Sequence, residues 1–579
     1  MKISAKKQSY LLALLILVLS TFVTVAQTDE SRSDYPSFSN QSYRIELEVN
    51  NQEQSFVGQE IVRFTNSTRR DLDQINFHLY PNIGQEEEEF PWLTVHGVSL
   101  TANEKRLLAK GQGVRFALKA RNSILQVKLP FKLQPGQTLE LKVEFAAHVP
   151  RIQREETTLL AHFLEEASDA ISDQKQSRDS RDIFFACEQV MLLGYFYPIL
   201  ATPEAMRTDQ GLAIGVGGLV ISEVADYEVK VQIENNVTVV ASSPLLEKKT
   251  HTELDETRAT HIFRGEKLRG FALALGQHFK SIERIVGTTK IKTYYLAGDA
   301  KIGQQMTEIS SRAVAAYNQA FGSYPYAELC VIELPLPAGF GGIEFPGLIA
   351  IAQAYCVDFD SPEAARLPGL VREQADVVKN ALEFTLAQCV AFQWWGSAVG
   401  SDSQRTPFLD ESLAHYAATY YYESAYGKEA GEKAVNQNLR SPYQVYRSLG
   451  GIDVEVAKPT KEFHSLLQFS AIVQSKGAML FYALRKELGD EQFFGALRLY
   501  FTTRKFRFAT PNDLRDAFLA AAHNPNIVKF LLQRYLREKR ADDDLGKPEV
   551  AYFAPNEKGK GKKIGRFFGK IGRAAARPF

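Results

Sequence analysis

Residues 339–426 contain the side chains whose types and spacing could do chemistry. "TLAQCVAFQWWG" places Cys389 in an apolar run, and "LDESLAHY" places Glu411 and His415 at i and i+4, a spacing that shares one helix face. Together they could supply three corners of a tetrahedral zinc site, leaving the fourth for water. Cys389 with His415 as base would instead make a thiol nucleophile, but nothing in the sequence identifies a third orienting group or an oxyanion hole. The plainer alternative is packing. A lone i, i+4 histidine is more often a packing or surface residue than a ligand, and a cysteine in an apolar run is more often a buried free thiol. A buried Glu411 would then need a donor or a proton, because desolvation disfavours its charge, and the Gln388 amide is the donor expected. In "GGIEF", Glu344 reads most plainly as a charged residue in a tight loop between strands.

Positioning these groups requires a helical domain with a small sheet in front. After about Ile285, two short β runs, "KIKTYYLA" and "ELCVIELPL", flank the helix-like "IGQQMTEISSRAVAAYNQAFG". Long apolar-periodic segments follow Gly347 and end in "IVKFLLQRYLREK", which sets an α-rich domain at 285–545. The preceding residues alternate instead. "YRIELEV" puts Tyr43, Ile45, Leu47 and Val49 on one face, and the period returns in "YEVKVQI" and in "LPFKLQPGQTLELKVEF" with its turn at Pro135 and Gly136. Residues 27–284 are therefore expected to form a largely β domain. Within it, "SDQKQSRDSRD" at 172–182 has little to bury and reads as an exposed loop.

The chain has 579 residues, too many for one ordinary core. Its 68 Lys+Arg against 68 Asp+Glu give no reason to expect a nucleic-acid partner. Lys2, Lys6 and Lys7 precede an apolar run from Tyr10 to Val25 and then Ala26, the pattern of a signal peptide over 1–26 and hence of export; an uncleaved anchor is the alternative. Export would place Cys187, Cys330, Cys356 and Cys389 where disulfides can form, although four cysteines do not make a disulfide scaffold in so large a chain. The tail at 546–579 is basic. Ile564, Phe567, Phe568 and Ile571 make a helical apolar stripe opposite Lys and Arg, which suits an anionic membrane surface, while Gly565, Gly569 and Gly572 oppose helix formation in water. An inert solubilising tail is the alternative.

"GFGGIEFPGLIAIAQ" and "FQWWGSAVGSDSQRTPFLDESLAHYAATYYYE", with "GYFYPILA" and "SKGAMLFYALRKELGDEQFF" in the same order, resemble the membrane alanine aminopeptidases, gluzincin zinc metallopeptidases. The resemblance implies a multidomain α+β fold, an N-terminal β-sheet saddle followed by a thermolysin-like, mostly helical domain. It also implies zinc held by HExxH and a later Glu, the motif Glu acting as general base for the zinc-bound water. Aligned on "QWWG", those positions here hold Gln388, Cys389 and Phe392, so both His ligands and the base are missing. Glu411, with 18 residues between it and Phe392, keeps the third-ligand position. Gln474, in "VQSKG", stands where the family has the Tyr that stabilises the oxyanion. Gly341, Gly342 and Glu344 match the exopeptidase motif, whose Glu binds a free α-amine and whose backbone pairs with peptide, although Phe345 replaces the usual Asn.

The expectation is an exported, catalytically inactive homologue with no cofactor, holding a peptide or protein N-terminus. Two alternatives stand beside it. One is an active hydrolase rebuilt around Glu411 with zinc, or around a thiol; the other is an interaction protein acting through its surface or basic tail.

Overall fold

A computed structural model of the chain describes residues 38–546 apart from 86–88, 102–112, 172–174, 206–214, 254–255 and 368. The expected signal peptide and most of the basic tail lie outside the described residues. No helix among the described residues is long and apolar enough to cross a membrane.

The first domain is built on a seven-stranded sheet in the order Leu245–Glu253, Glu256–Leu268, Ala225–Glu234, Ser39–Asn50, Ser55–Thr65, Thr138–His148, Leu93–Leu100. Ser39–Asn50 runs parallel to Ala225–Glu234 and antiparallel to Ser55–Thr65. The alternation seen in the sequence sets its face: Tyr43, Ile45, Leu47 and Val49 are buried. Tyr43 stacks on Tyr227 at 5.1 Å and meets Tyr197 edge-on at 5.4 Å, which ties the sheet to the "GYFYPILA" segment. Two four-stranded sheets complete the domain.

A five-stranded sheet opens the second domain, in the order Phe279–Val286, Thr289–Leu296, Glu328–Leu334, Leu348–Ala352, Gly342–Phe345. Its first strand corrects the expected boundary at 285: Phe279–Val286 pairs antiparallel with Thr289–Leu296, so the chain enters this domain several residues earlier. "FKSIERIV" is mostly exposed and lacks the apolar alternation that would have marked it as a strand. The last strand in the order, Gly342–Phe345, is an edge. On the sheet pack α1 (Ala300–Phe321) and α2 (Ala375–Phe392), and against these helices pack α3 (Glu411–Tyr426) and α4 (Gly477–Arg504). From Phe384 to Phe392 every residue of α2 is buried, so this helix has no solvent face there.

Candidate functional site

The site lies where the end of α2, the start of α3, the edge strand Gly342–Phe345 and a π-helical turn at Ser470–Lys476 converge. Two glycines let the edge strand lie directly on α2. A Cβ at Gly341 would come within 2.6 Å of the Tyr355 ring, and one at Gly342 within 2.9 Å of Cys389 Sγ. This close approach sets Glu344 opposite Cys389, whose thiol donates to Glu344 Oε2 at 3.7 Å. The strand's return is fixed by Gln393, which accepts from Gly347 N–H at 2.8 Å and donates to the Phe345 carbonyl at 3.1 Å.

Glu411 opens α3, with Asp410 as N-cap accepting from its N–H at 2.9 Å. Its side-chain donor is Gln474 Nε2 at 3.1 Å, which corrects the expected pairing with Gln388. These two residues are the ones that the sequence resemblance sets at the oxyanion-donor and third-ligand positions. Neither amide atom of the fully buried Gln388 has a hydrogen-bond partner among the described residues. Gln474 is held by its backbone. Ser412 Oγ donates to the Val473 carbonyl at 2.7 Å, and the buried Lys476 donates to Asp453 at 2.8 Å and to the Val454 and Glu538 carbonyls at 2.9 and 2.7 Å.

A cavity of about 110 Å³ sits in front of these groups, lined by Arg178, Tyr195, Arg269, Glu344, Phe392 and Glu411 among others. Arg178 was missed from sequence, and with Ser180 it corrects the reading of 172–182 as exposed: both are buried, while Lys175, Ser177 and Arg181 are exposed and 172–174 lie outside the described residues. Arg178 is 6% exposed, its Nε donates to Asp182 and its guanidinium lies 4.6 Å over the Phe340 ring. The segment is tied down by partners far along the chain: Gln176 N–H donates to the His464 carbonyl, Leu466 N–H to Gln176 Oε1, and Ser180 N–H to the Ile83 carbonyl. An Arg and an Asp at i and i+4 that satisfy each other could have hinted at this.

Burial dominates the electrostatics. It pushes the Glu411 carboxyl up to about 8, helped by Asp410 and opposed by the Gln474 amide and Arg178. Glu344 is raised well above the ordinary carboxylate range by burial and by Glu411, with Arg178 opposing. Burial and the two glutamates also hold the Cys389 thiol well above its usual value, the reverse of what a thiolate nucleophile requires.

The donors present do not fit a zinc ion. Phe392 has no donor atom, Gln388 offers a neutral amide, and Glu411 is hydrogen-bonded to Gln474. The structure also does not assemble Glu411, His415 and Cys389: His415 packs edge-on against Phe384 at 5.0 Å, and Cys389 faces Glu344. Among the described residues, no three His, Cys, Asp or Glu side chains gather to hold a metal.

Residues 306–535 match the Peptidase family M1 domain. It is this part of the chain, less than half of the 579 residues, that resembles the M1 peptidases. The chain is similar to Aminopeptidase 2 of Candida albicans, 25% identical over 245 residues that cover 42% of this chain and 25% of that protein. Aminopeptidase N of Lactobacillus delbrueckii subsp. lactis is 26% identical over 45% of this chain and 30% of its own length. Aminopeptidase N of Lactococcus lactis subsp. lactis is 23% identical over 79% of this chain and 50% of its own. The chain thus spans between a quarter and a half of these curated relatives. An M1 zinc metallopeptidase from Deinococcus radiodurans shares the fold, with a TM-score of 0.56 at 17% identity over 87% of this chain and 96% of that one. The two-domain architecture expected from the sequence is therefore that of an M1 peptidase.

Proposed function

We propose that this chain is an exported, non-catalytic M1-type protein that binds the free N-terminal amine of a peptide or protein partner. One observation carries this reading: Glu344 and Glu411 line one cavity, while the adjoining positions hold Gln388 and Phe392, which can neither hold zinc nor take a proton from water. Two carboxyls on one cavity, Glu411 buried and Glu344 partly exposed, suit a cationic ligand, and an α-amine on the edge-strand glutamate is what the resemblance implies. The named relatives are aminopeptidases, so activity is the comparison to beat. The basic residues after Lys558 add a second expectation, an anionic membrane surface.

Zinc content and hydrolysis of aminoacyl substrates by the purified full chain test the first part. Near-stoichiometric zinc with turnover would sink it. Free-amine ligands should lose at least tenfold in affinity on Glu344→Ala, whereas N-acetylated ones should bind neither form. Equal binding by both forms would remove the amine anchor. Gln388→His, Cys389→Glu and Phe392→His together should restore zinc before much activity, because Gln474 still occupies the oxyanion-donor position. For the tail, co-sedimentation with anionic vesicles should be lost when residues 558–579 are deleted.

A further inference from the structure

The helix Leu159–Ile171 buries a histidine and exposes two leucines. His162 is fully buried, its ring 5.5 Å from that of Tyr355, whereas Leu160 and Leu164 are 50% and 61% exposed. Two residues along a helix stand about 200° apart, so both leucines lie opposite His162 and, at i and i+4, side by side. Residues 155–171 also carry five acids, Glu155, Glu156, Glu165, Glu166 and Asp169, and no Lys or Arg. The helix is held beside the cleft. The Ala338 N–H donates to the Glu156 carbonyl at 3.0 Å, and a Cβ at Gly339 would meet the Glu165 side chain at 3.8 Å, just before the edge strand Gly342–Phe345.

The occupant that suits this face is apolar and cationic. A second copy of the same helix would set acid against acid, and an anionic bilayer would repel it. The chain itself contains the complement: residues 558–579 hold eight Lys and Arg and no acid, with Ile564, Phe567, Phe568 and Ile571 at i, i+3, i+4 and i+7. The two regions are also within reach of each other. The described residues end at Gly546, next to Leu545, whose carbonyl accepts from Gln444 Nε2 at 2.7 Å. On the same helix as Gln444, the Tyr446 hydroxyl accepts from Gln468 Nε2 at 3.1 Å, and Gln468 lies in the turn Leu466–Phe469 that packs on Leu159–Ile171. From Gly546, residues 547–557 extend to about 36 Å. We propose that Leu160 and Leu164 form the docking surface for the chain's own segment 558–579, with Phe567 and Phe568 on the leucines and Lys and Arg against the acids of 155–171. This goes beyond the amine-binding reading and gives the basic segment a place on the protein that competes with an anionic membrane.

Hydrogen–deuterium exchange of the full-length protein tests it. Phe567→Ser together with Phe568→Ser leaves the helix sequence unaltered and should speed exchange at 159–171 at least threefold. Leu160→Ser together with Leu164→Ser should speed tryptic cleavage within 558–579 at least tenfold. The phenylalanine variant decides the matter even if the leucine variant does not fold. Vesicles of equal parts phosphatidylcholine and phosphatidylglycerol should raise exchange at 159–171 in the wild type to the rate of the phenylalanine variant, because they draw the segment away, and vesicles of phosphatidylcholine alone should not. Unchanged exchange at 159–171 in the phenylalanine variant overturns the docking and leaves the membrane reading to its own co-sedimentation test. Protection that vanishes on tenfold dilution places the segment on a neighbouring molecule and overturns docking within one chain. Anionic vesicles that bind the protein without changing exchange at 159–171 overturn the competition.

Discussion

Two glutamines five residues apart at the end of α2 have opposite fates. Gln393 uses both ends of its amide, clamping Gly347 N–H and the Phe345 carbonyl, so the turn after the edge strand depends on it. Gln388 is equally buried and among the described residues uses neither. The sequence resemblance sets Gln388 at a zinc-ligand position and leaves Gln393 outside the ligand set. The difference separates two side chains of one helix end: the Gln393 amide holds the turn after the edge strand, whereas the Gln388 amide holds nothing among the described residues.

The comparison can be broken at several points. On the architectural side, Lys476→Met would leave Asp453 buried without its cation and should cost about 3–5 kcal/mol in denaturant unfolding. Gln393→Leu strands one backbone donor and one acceptor and should cost about 2–4 kcal/mol; a loss under about 1 kcal/mol would erase the contrast between the two glutamines. A pH series probes the chemical side. Folded Glu411 keeps a proton up to about 8, whereas in the unfolded chain it releases it near ~4.3. The folded state therefore binds more protons between those values. Its extra stability is full at the acid end and falls as pH rises through about 8, by up to about 1.4 kcal/mol per pH unit. Glu411→Gln, which copies the protonated shape, should flatten that slope; an unchanged slope would assign it to other groups. The smallest effect is expected at Gln388→Leu, neutral or stabilising by about 1 kcal/mol in the same melts, because it removes a buried amide that has no partner. A loss of more than about 2 kcal/mol there would mean that the amide is satisfied after all.

Most of the architecture was legible because it rests on periodicity. Tyr43 to Val49 alternate and are buried as they alternate, and the burial of the end of α2 follows from its mostly apolar stretch Phe384–Phe392, which Thr385 and Gln388 interrupt. The site was legible as far as residue identity decides chemistry: Phe392 cannot bind metal in any fold. The misreadings needed distances across the chain. Two amides could have reached Glu411, and only the π-helical turn, held by Lys476 and Ser412, shows that Gln474 does so. The 172–182 segment looked soluble because its charges were counted singly, whereas Arg178 and Asp182 neutralise each other and the backbone finds partners near residues 83 and 465.

The π-turn has one more consequence. Ser470–Lys476 is anchored on both sides of residue 474 by contacts that do not involve that side chain, so position 474 behaves as a socket. Whatever is plugged in is presented to Glu411 from the same place. A replacement at 474 keeps these backbone anchors, and because the position is fully buried only a side chain close to glutamine in volume fits without strain, so the chemistry offered to Glu411 is set by one residue of fixed size and place.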